Sequence, residues 1–159
     1  MTARPTVLLA TIGSATLLAG AFAFQYIGEL APCQMCLWQR WPHLAAVVIG
    51  LISLRFGVTL VFCLLGGLST LSTAAIGFFH MGVEKAWWDG FEGCSAPDIS
   101  SVSPEELLES LLSDPIVQCS QIPWEFMTLS MAGWNAVISL ATTMIWIAAA
   151  WQSRKNLSG

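Results

Sequence analysis

Four stretches of this chain run without Asp, Glu, Lys or Arg for long enough to decide its solvent. They extend from Pro5 to Gly28, Trp41 to Leu54, Phe56 to Val83 and Phe126 to Ser153. A helix rises about 1.5 Å per residue, so about 20 apolar residues cross a hydrocarbon core of about 30 Å. The second stretch is short: 14 uncharged residues between Arg40 and Arg55 rise only about 21 Å as a helix. One of the two arginines must lie inside that span. Arg55-Phe56-Gly57 reads as a helix end followed by a stopping glycine, which puts Arg55 at the water boundary. The second helix then begins near Leu37, with Arg40 one turn in. There Arg40 either snorkels to the headgroups or faces a ligand within the membrane. The expected fold is all-α, a polytopic four-helix membrane bundle forming a single domain over residues 1–159. Its spans fall over about 6–27, 37–55, 58–80 and 127–151, with outer loops over about 28–36 and 84–126.

The bulk composition agrees, since 55% of the residues are hydrophobic and only 10% charged. A bilayer, not water, suits such a chain. With a net charge of -4 and no basic cluster, nucleic acid is excluded as a partner.

Basic residues in short loops set orientation. Arg4, Arg55, Arg154 and Lys155 share one side of the four-span arrangement, so both termini are expected in the cytoplasm. All ten acidic residues fall on the opposite side, Glu29 in the first outer loop and the rest from Glu84 to Glu125. Arg4, the apolar run and Ala21-Phe22-Ala23 imitate a signal peptide, but the run is long for one and three more spans follow. Trp38, Trp41, Trp87, Trp88 and Trp124 belong near the outer boundary and Trp151 near the inner one. In the long outer loop, Ser103-Pro104-Glu105-Glu106 supplies a cap, a first-turn proline and a glutamate three residues on. A short amphipathic helix is expected there, with Leu107, Leu108, Leu111 and Leu112 on one face. That face lies either on the membrane surface or against the bundle.

Of the five cysteines, four face outward: Cys33 and Cys36 just before the second span, Cys94 and Cys119 in the long loop. An oxidising compartment favours disulfides there, and the loop pair could simply staple a fold. The Cys-x-x-Cys pair opens a helix, where the positive dipole end and free N–H groups favour a thiolate. Arg40 is four residues after Cys36 on the same face, placed to stabilise a thiolate or to hold an acceptor oxygen beside it. Leu37 follows Cys36 where c-type haem attachment needs histidine, and no βαβ setting supports a thioredoxin-like fold. A copper or zinc site using Cys33, Cys36, Met35 and His80 stays open. His80 and Glu84, also four apart, lie at the outer end of the third span. With Arg40 they could outline a polar mouth for a quinone headgroup. Cys63 lies mid-span, reads as a small apolar residue and is assigned no role.

Pro32-Cys33-Gln34-Met35-Cys36, Arg40 four residues later, the pair Cys94 and Cys119, four spans and basic cytoplasmic ends occur together. In this combination the chain resembles the DsbB family of disulfide bond formation proteins over nearly its whole length. The resemblance implies a membrane thiol:quinone oxidoreductase of the bacterial inner membrane. In such a protein a Cys94–Cys119 disulfide oxidises a periplasmic DsbA-like thioredoxin-fold protein, with Cys94 forming the mixed disulfide. Cys119 then attacks Cys33, and the released Cys36 thiolate meets ubiquinone or menaquinone. Arg40 and His80 match family residues near the quinone. Two positions depart from the family pattern: Gln39 replaces an acidic residue, and Glu84 stands where glutamine is expected. Thiol–disulfide exchange needs no metal or flavin of the protein's own, only an exit for electrons of higher potential than the soluble partner's. The competing readings are a metal-binding membrane protein, a non-catalytic subunit with a structural loop bridge, and a vitamin K epoxide reductase-like enzyme. The last places its active Cys-x-x-Cys late in the chain, whereas here it is early.

Overall fold

A computed structural model describes residues 3–91, 94 and 117–157. Four helices, each long and apolar enough to cross a membrane, form it: α1 (Arg4–Tyr26), α2 (Gln34–Phe56), α3 (Leu60–Glu84) and α4 (Met131–Leu157). α1 packs on α2 and α4, and α3 packs on the same two, so α2 and α4 face each other across the bundle axis. The expected amphipathic helix over 103–112 lies outside the described residues.

Burial is inverted relative to a water-soluble protein. Leu8, Leu9, Leu64, Leu68 and Ile147 point outward, whereas Ser14, Thr70, Thr73, Ser139 and Thr143 are buried between helices. Lipid tails are as apolar as leucine, so small residues and interhelical hydrogen bonds hold membrane helices together. The Thr143 hydroxyl donates to Thr70 Oγ1 at 2.9 Å in this way. Two glycines of α3 set how closely it meets α4. A Cβ on Gly66 would stand 2.6 Å from the indole of Trp146, and one on Gly77 would stand 3.0 Å from the Ala132 carbonyl oxygen.

Three helix starts are dictated locally. α2 begins at Gln34, earlier than Leu37, because the Cys33 sulfur itself acts as cap and accepts the Cys36 N–H at 3.3 Å. That draws Cys36 and Arg40 into the helix proper. Gly57, at φ 119°, ends α2, and Thr59 caps α3 by accepting the Phe62 N–H. α4 begins at Met131, several residues later than hydropathy suggests. Before it, β1 (Glu125–Phe126) and β2 (Leu129–Ser130) pair antiparallel around Met127 and Thr128, both at positive φ. Positive φ at both central positions is the geometry of a two-residue hairpin turn.

Candidate functional site

Four of the five cysteines meet at one end of the bundle. Cys33, Met35, Val83, Cys94 and Cys119 form one buried cluster, with the partly buried Cys36, Phe79 and Val117 against it. Cys94 and Cys119 are joined by a disulfide, and the Cys119 N–H donates to the Cys94 carbonyl at 3.0 Å. Cys33 and Cys36 sit with their sulfurs 2.9 Å apart, at the N-terminus of α2. Cys63 is remote, packed with Val7, Ala10 and Trp146 in a separate cluster.

His80 stands between the two pairs. Its Nε2 lies 3.5 Å from Cys33 Sγ and 3.2 Å from the Cys119 carbonyl oxygen. Its Nδ1 lies 3.1 Å from Gln39 Nε2. Gln39 can be oriented in one sense only, because the same Nε2 is 3.2 Å from the Met35 carbonyl, which accepts and never donates. Gln39 therefore donates to Nδ1, and the ring proton of a neutral His80 sits on Nε2, facing sulfur and carbonyl. The Cys33 thiol, just outside the helix, is held down to about 4 by the hydrogen bond with Cys36, with the hydrogen bond from His80 assisting against burial. The reduced pair thus carries one thiolate at neutral pH.

The Glu84 side chain, 2% exposed, lies 3.9 Å from His80 Nε2 and accepts a hydrogen bond from Ser130. The Ser130 hydroxyl in turn accepts the Gly133 N–H at the start of α4. A negative group suits that helix end. Arg40 donates to Gln25 Oε1 at 2.6 Å and lies over the Phe22 ring, while its Nε has no partner among the described residues.

These groups open onto a cavity of about 880 Å³ between α1, α2 and α4, closed on the outer side by residues 117–126. Cys33, Cys36, Arg40, His80 and Glu84 line its polar end, and Leu17, Phe24 and Ile138 belong to its apolar wall. The volume lies within the range of small-molecule sites, about 300–1,000 Å³. All the residues singled out from the sequence for chemistry except Met35, Cys94 and Cys119 border this space, and Met35 and the loop bridge pack in the buried cluster with Cys33.

Sequence reasoning passed over Gln39 as a contact, and over His43, Asn135 and Ser130 altogether. Asn135 Nδ2 donates to Gln39 Oε1 at 2.5 Å and to Thr73 Oγ1 at 3.2 Å, and its Oδ1 is 2.8 Å from His43 Nε2. The bonds to Gln39 and His43 cross the bundle axis from α4 to α2, while the Thr73 bond ties α4 to its packed neighbour α3. Polar residues inside a span are rare enough to be a signal in themselves, and Gln39, His43 and Asn135 carried it.

Cys33, Cys36 and His80 also place their ligand atoms within 4.8 Å of one another. Two thiolates on one tetrahedral zinc, with Zn–S about 2.3 Å, stand about 3.8 Å apart. The observed 2.9 Å suits sulfur–sulfur exchange better than a shared metal.

A family model described as Disulfide bond formation protein DsbB matches residues 3–149. A protein of Hahella chejuensis named Disulfide bond formation protein B is 29% identical, covering 97% of this chain and 96% of the relative. Proteins of the same name from Shewanella sp. strain MR-4 and Idiomarina loihiensis are each 30% identical. They cover 84% and 88% of this chain, and 79% and 80% of themselves.

Proposed function

We propose, from the premise that this chain belongs to the disulfide bond formation protein DsbB family, that it regenerates a periplasmic DsbA-like dithiol oxidase and passes the electrons to a membrane quinone. Disulfide formation by a membrane oxidoreductase is the family's activity; the partner, the acceptor and the residue roles are our reading. The single observation that carries it is the convergence of both cysteine pairs on His80 beside one cavity.

Exchange proceeds by thiolate attack and mixed disulfides. A partner thiolate attacks Cys94 and breaks the Cys94–Cys119 bond, forming a mixed disulfide and releasing Cys119. The Cys119 thiolate attacks Cys33, which breaks the Cys33–Cys36 bond and frees the Cys36 thiolate. The partner's second thiolate then displaces Cys94 and leaves oxidised, and Cys94 displaces Cys33 from Cys119, restoring the loop bridge. Two electrons now reside in Cys33 and Cys36. In this scheme the His80 Nε2–H, facing Cys33 Sγ, stabilises the Cys33 thiolate as it departs from Cys119, and Glu84 lies near the same ring nitrogen.

The residues fit a quinone headgroup at the cavity's polar end. Arg40 Nε is a buried donor without a partner among the described residues, Cys36 is partly exposed to the space, and the apolar wall suits an isoprenoid tail. When bound, ubiquinone or menaquinone supplies a two-electron acceptor of higher potential than a soluble oxidase near about −120 mV, which glutathione cannot. Arg40, Cys36, His80 and Glu84 would hold it. The protein would lie in the bacterial inner membrane with both termini cytoplasmic, since Arg4, Arg55, Arg154 and Lys155 share one side.

Trapping tests the reading. A Cys119→Ala variant should accumulate a covalent adduct between Cys94 and a periplasmic thioredoxin-fold protein; absence of any adduct favours a structural loop bridge. The cluster of Cys33, Cys36 and His80 supports a second reading, a soft-metal site. Stoichiometric zinc or copper in the purified protein, lost on replacing Cys33 and Cys36, would establish it.

A further inference from the structure

His43 lies near the middle of α2, 3% exposed, and none of the steps above uses it. It lines the same cavity as Cys36 and Arg40. Its position on the helix is three residues beyond Arg40, so the two are neighbours on one face. The ring is fixed from the α4 side. Its Nε2 is 2.8 Å from Asn135 Oδ1 and 3.4 Å from the Ser139 hydroxyl. Its Nδ1, fully buried, has no hydrogen-bond partner among the described residues.

Which nitrogen carries the proton follows from the chain of amides. The Met35 carbonyl fixes the Gln39 amide, so Gln39 Oε1 must accept and Asn135 Nδ2 must donate. Asn135 Oδ1 is thereby turned to His43, and Oδ1 can only accept. His43 Nε2 therefore bears the hydrogen. An imidazolium here would be a charge inside the span, which is costly without a counter-ion, so the ring is neutral and Nδ1 presents a bare lone pair. An unsatisfied buried acceptor is itself costly, and one built so deliberately by three side chains calls for a ligand donor.

We propose that His43 is a positioning residue for the electron acceptor, and that it recognises the reduced form. Arg40 Nε–H can donate to an oxygen in either redox state. A lone pair on His43 Nδ1 offers nothing to a quinone carbonyl but accepts the O–H of a hydroquinone. Wall and mouth then favour the product of electron transfer over its reactant, which pulls electrons out of the Cys33–Cys36 dithiol. The reduced pair, one thiolate and one thiol, releases two electrons and one proton as its disulfide forms; a quinone takes up two electrons and two protons, so the second proton comes from the medium.

This inference rests on the quinone reading, and direct binding separates the two. With Cys33→Ser and Cys36→Ser, so that no electrons move, the purified protein is titrated with short-tail ubiquinone and separately with short-tail ubiquinol, following tryptophan fluorescence. His43→Leu in this background should weaken ubiquinol binding about five- to tenfold, the worth of one buried hydrogen bond, and leave ubiquinone within about twofold. His43→Gln, which keeps an acceptor, should recover most of the loss. Equal weakening of both ligands, or of neither, overturns the assignment of His43. If neither ligand binds the parent protein, the quinone reading itself falls. A variant that melts early is checked by its quinone-free oxidation of a dithiol partner through Cys94–Cys119 in the full-cysteine chain. Normal exchange there with unchanged ubiquinol affinity also overturns the proposal.

Discussion

Replacing Gln39 by leucine isolates what the amide chain does. The side chain donates to the Met35 carbonyl and His80 Nδ1 and accepts from Asn135. Met35 lies in the helix with Gln39 four residues on, so its carbonyl keeps the backbone bond, and Asn135 keeps Thr73 and His43. His80 Nδ1 loses its only donor among the described residues. Bonds of this kind inside a bilayer are worth about 0.6 kcal/mol on average and up to about 1.7. Two lost partners therefore cost about 1–3 kcal/mol, or about 2–4 °C of melting temperature for each kcal/mol in a chain of this size. The functional cost falls on one step. Without Gln39 the His80 ring is free to turn its other nitrogen toward Cys33, and losing one donor to a departing thiolate costs about 1.5–3 kcal/mol, at least tenfold in rate. Stopped-flow exchange between a reduced dithiol partner and the oxidised protein resolves this. Attack on the Cys94–Cys119 bridge should keep its rate, while transfer from the loop pair to Cys33–Cys36 should slow tenfold or more. Equal rates for both steps in Gln39→Leu would refute the orienting role.

The Cys33 thiol titrates near about 4 instead of its usual 9, so its thiolate persists well below neutral pH. Alkylation of Cys33 in the reduced protein should be level between pH 6 and 8, where an ordinary thiol would speed up about a hundredfold. Gly66→Ala puts a methyl into the Trp146 indole, which is fully buried, and should cost about 1–3 kcal/mol in thermal or detergent unfolding. Its folded fraction should retain normal thiol exchange, because this contact lies in the cluster with Cys63, away from the outer pairs. Arg40→Leu should raise the KM for quinone several-fold with the KM for the protein partner unchanged; the opposite pattern removes Arg40 from the acceptor site.

Four helices, their order and the placing of both cysteine pairs at one end of the bundle were legible because membrane insertion is written in one dimension, as charge-free runs and basic ends. The start of α2 was not, because a cysteine serves as cap where serine, threonine, aspartate or asparagine is the usual sign. Nor was the hairpin before α4, whose tight turn uses Met127 and Thr128 at positive φ in place of glycine or asparagine. For the site, spacing along one helix grouped Cys36 with Arg40 and His80 with Glu84, and all four border the cavity. What spacing cannot express is contact between helices. Asn135 is 96 residues from Gln39 and 92 from His43, and His80 touches Cys33 and Cys119 from positions 47 and 39 residues away. Gln39 read as a departure from the family pattern is, in the folded chain, the residue that fixes which nitrogen His80 turns to sulfur.

The relay requires Cys33 and Cys119 to come within bonding reach. A variant with Cys36→Ser and Cys94→Ser keeps one sulfur from each pair. Purified without reductant, it should contain an intramolecular disulfide between Cys33 and Cys119, identified by mass spectrometry of the joined peptides. Two free thiols, or bonding only between separate molecules, would contradict the relay.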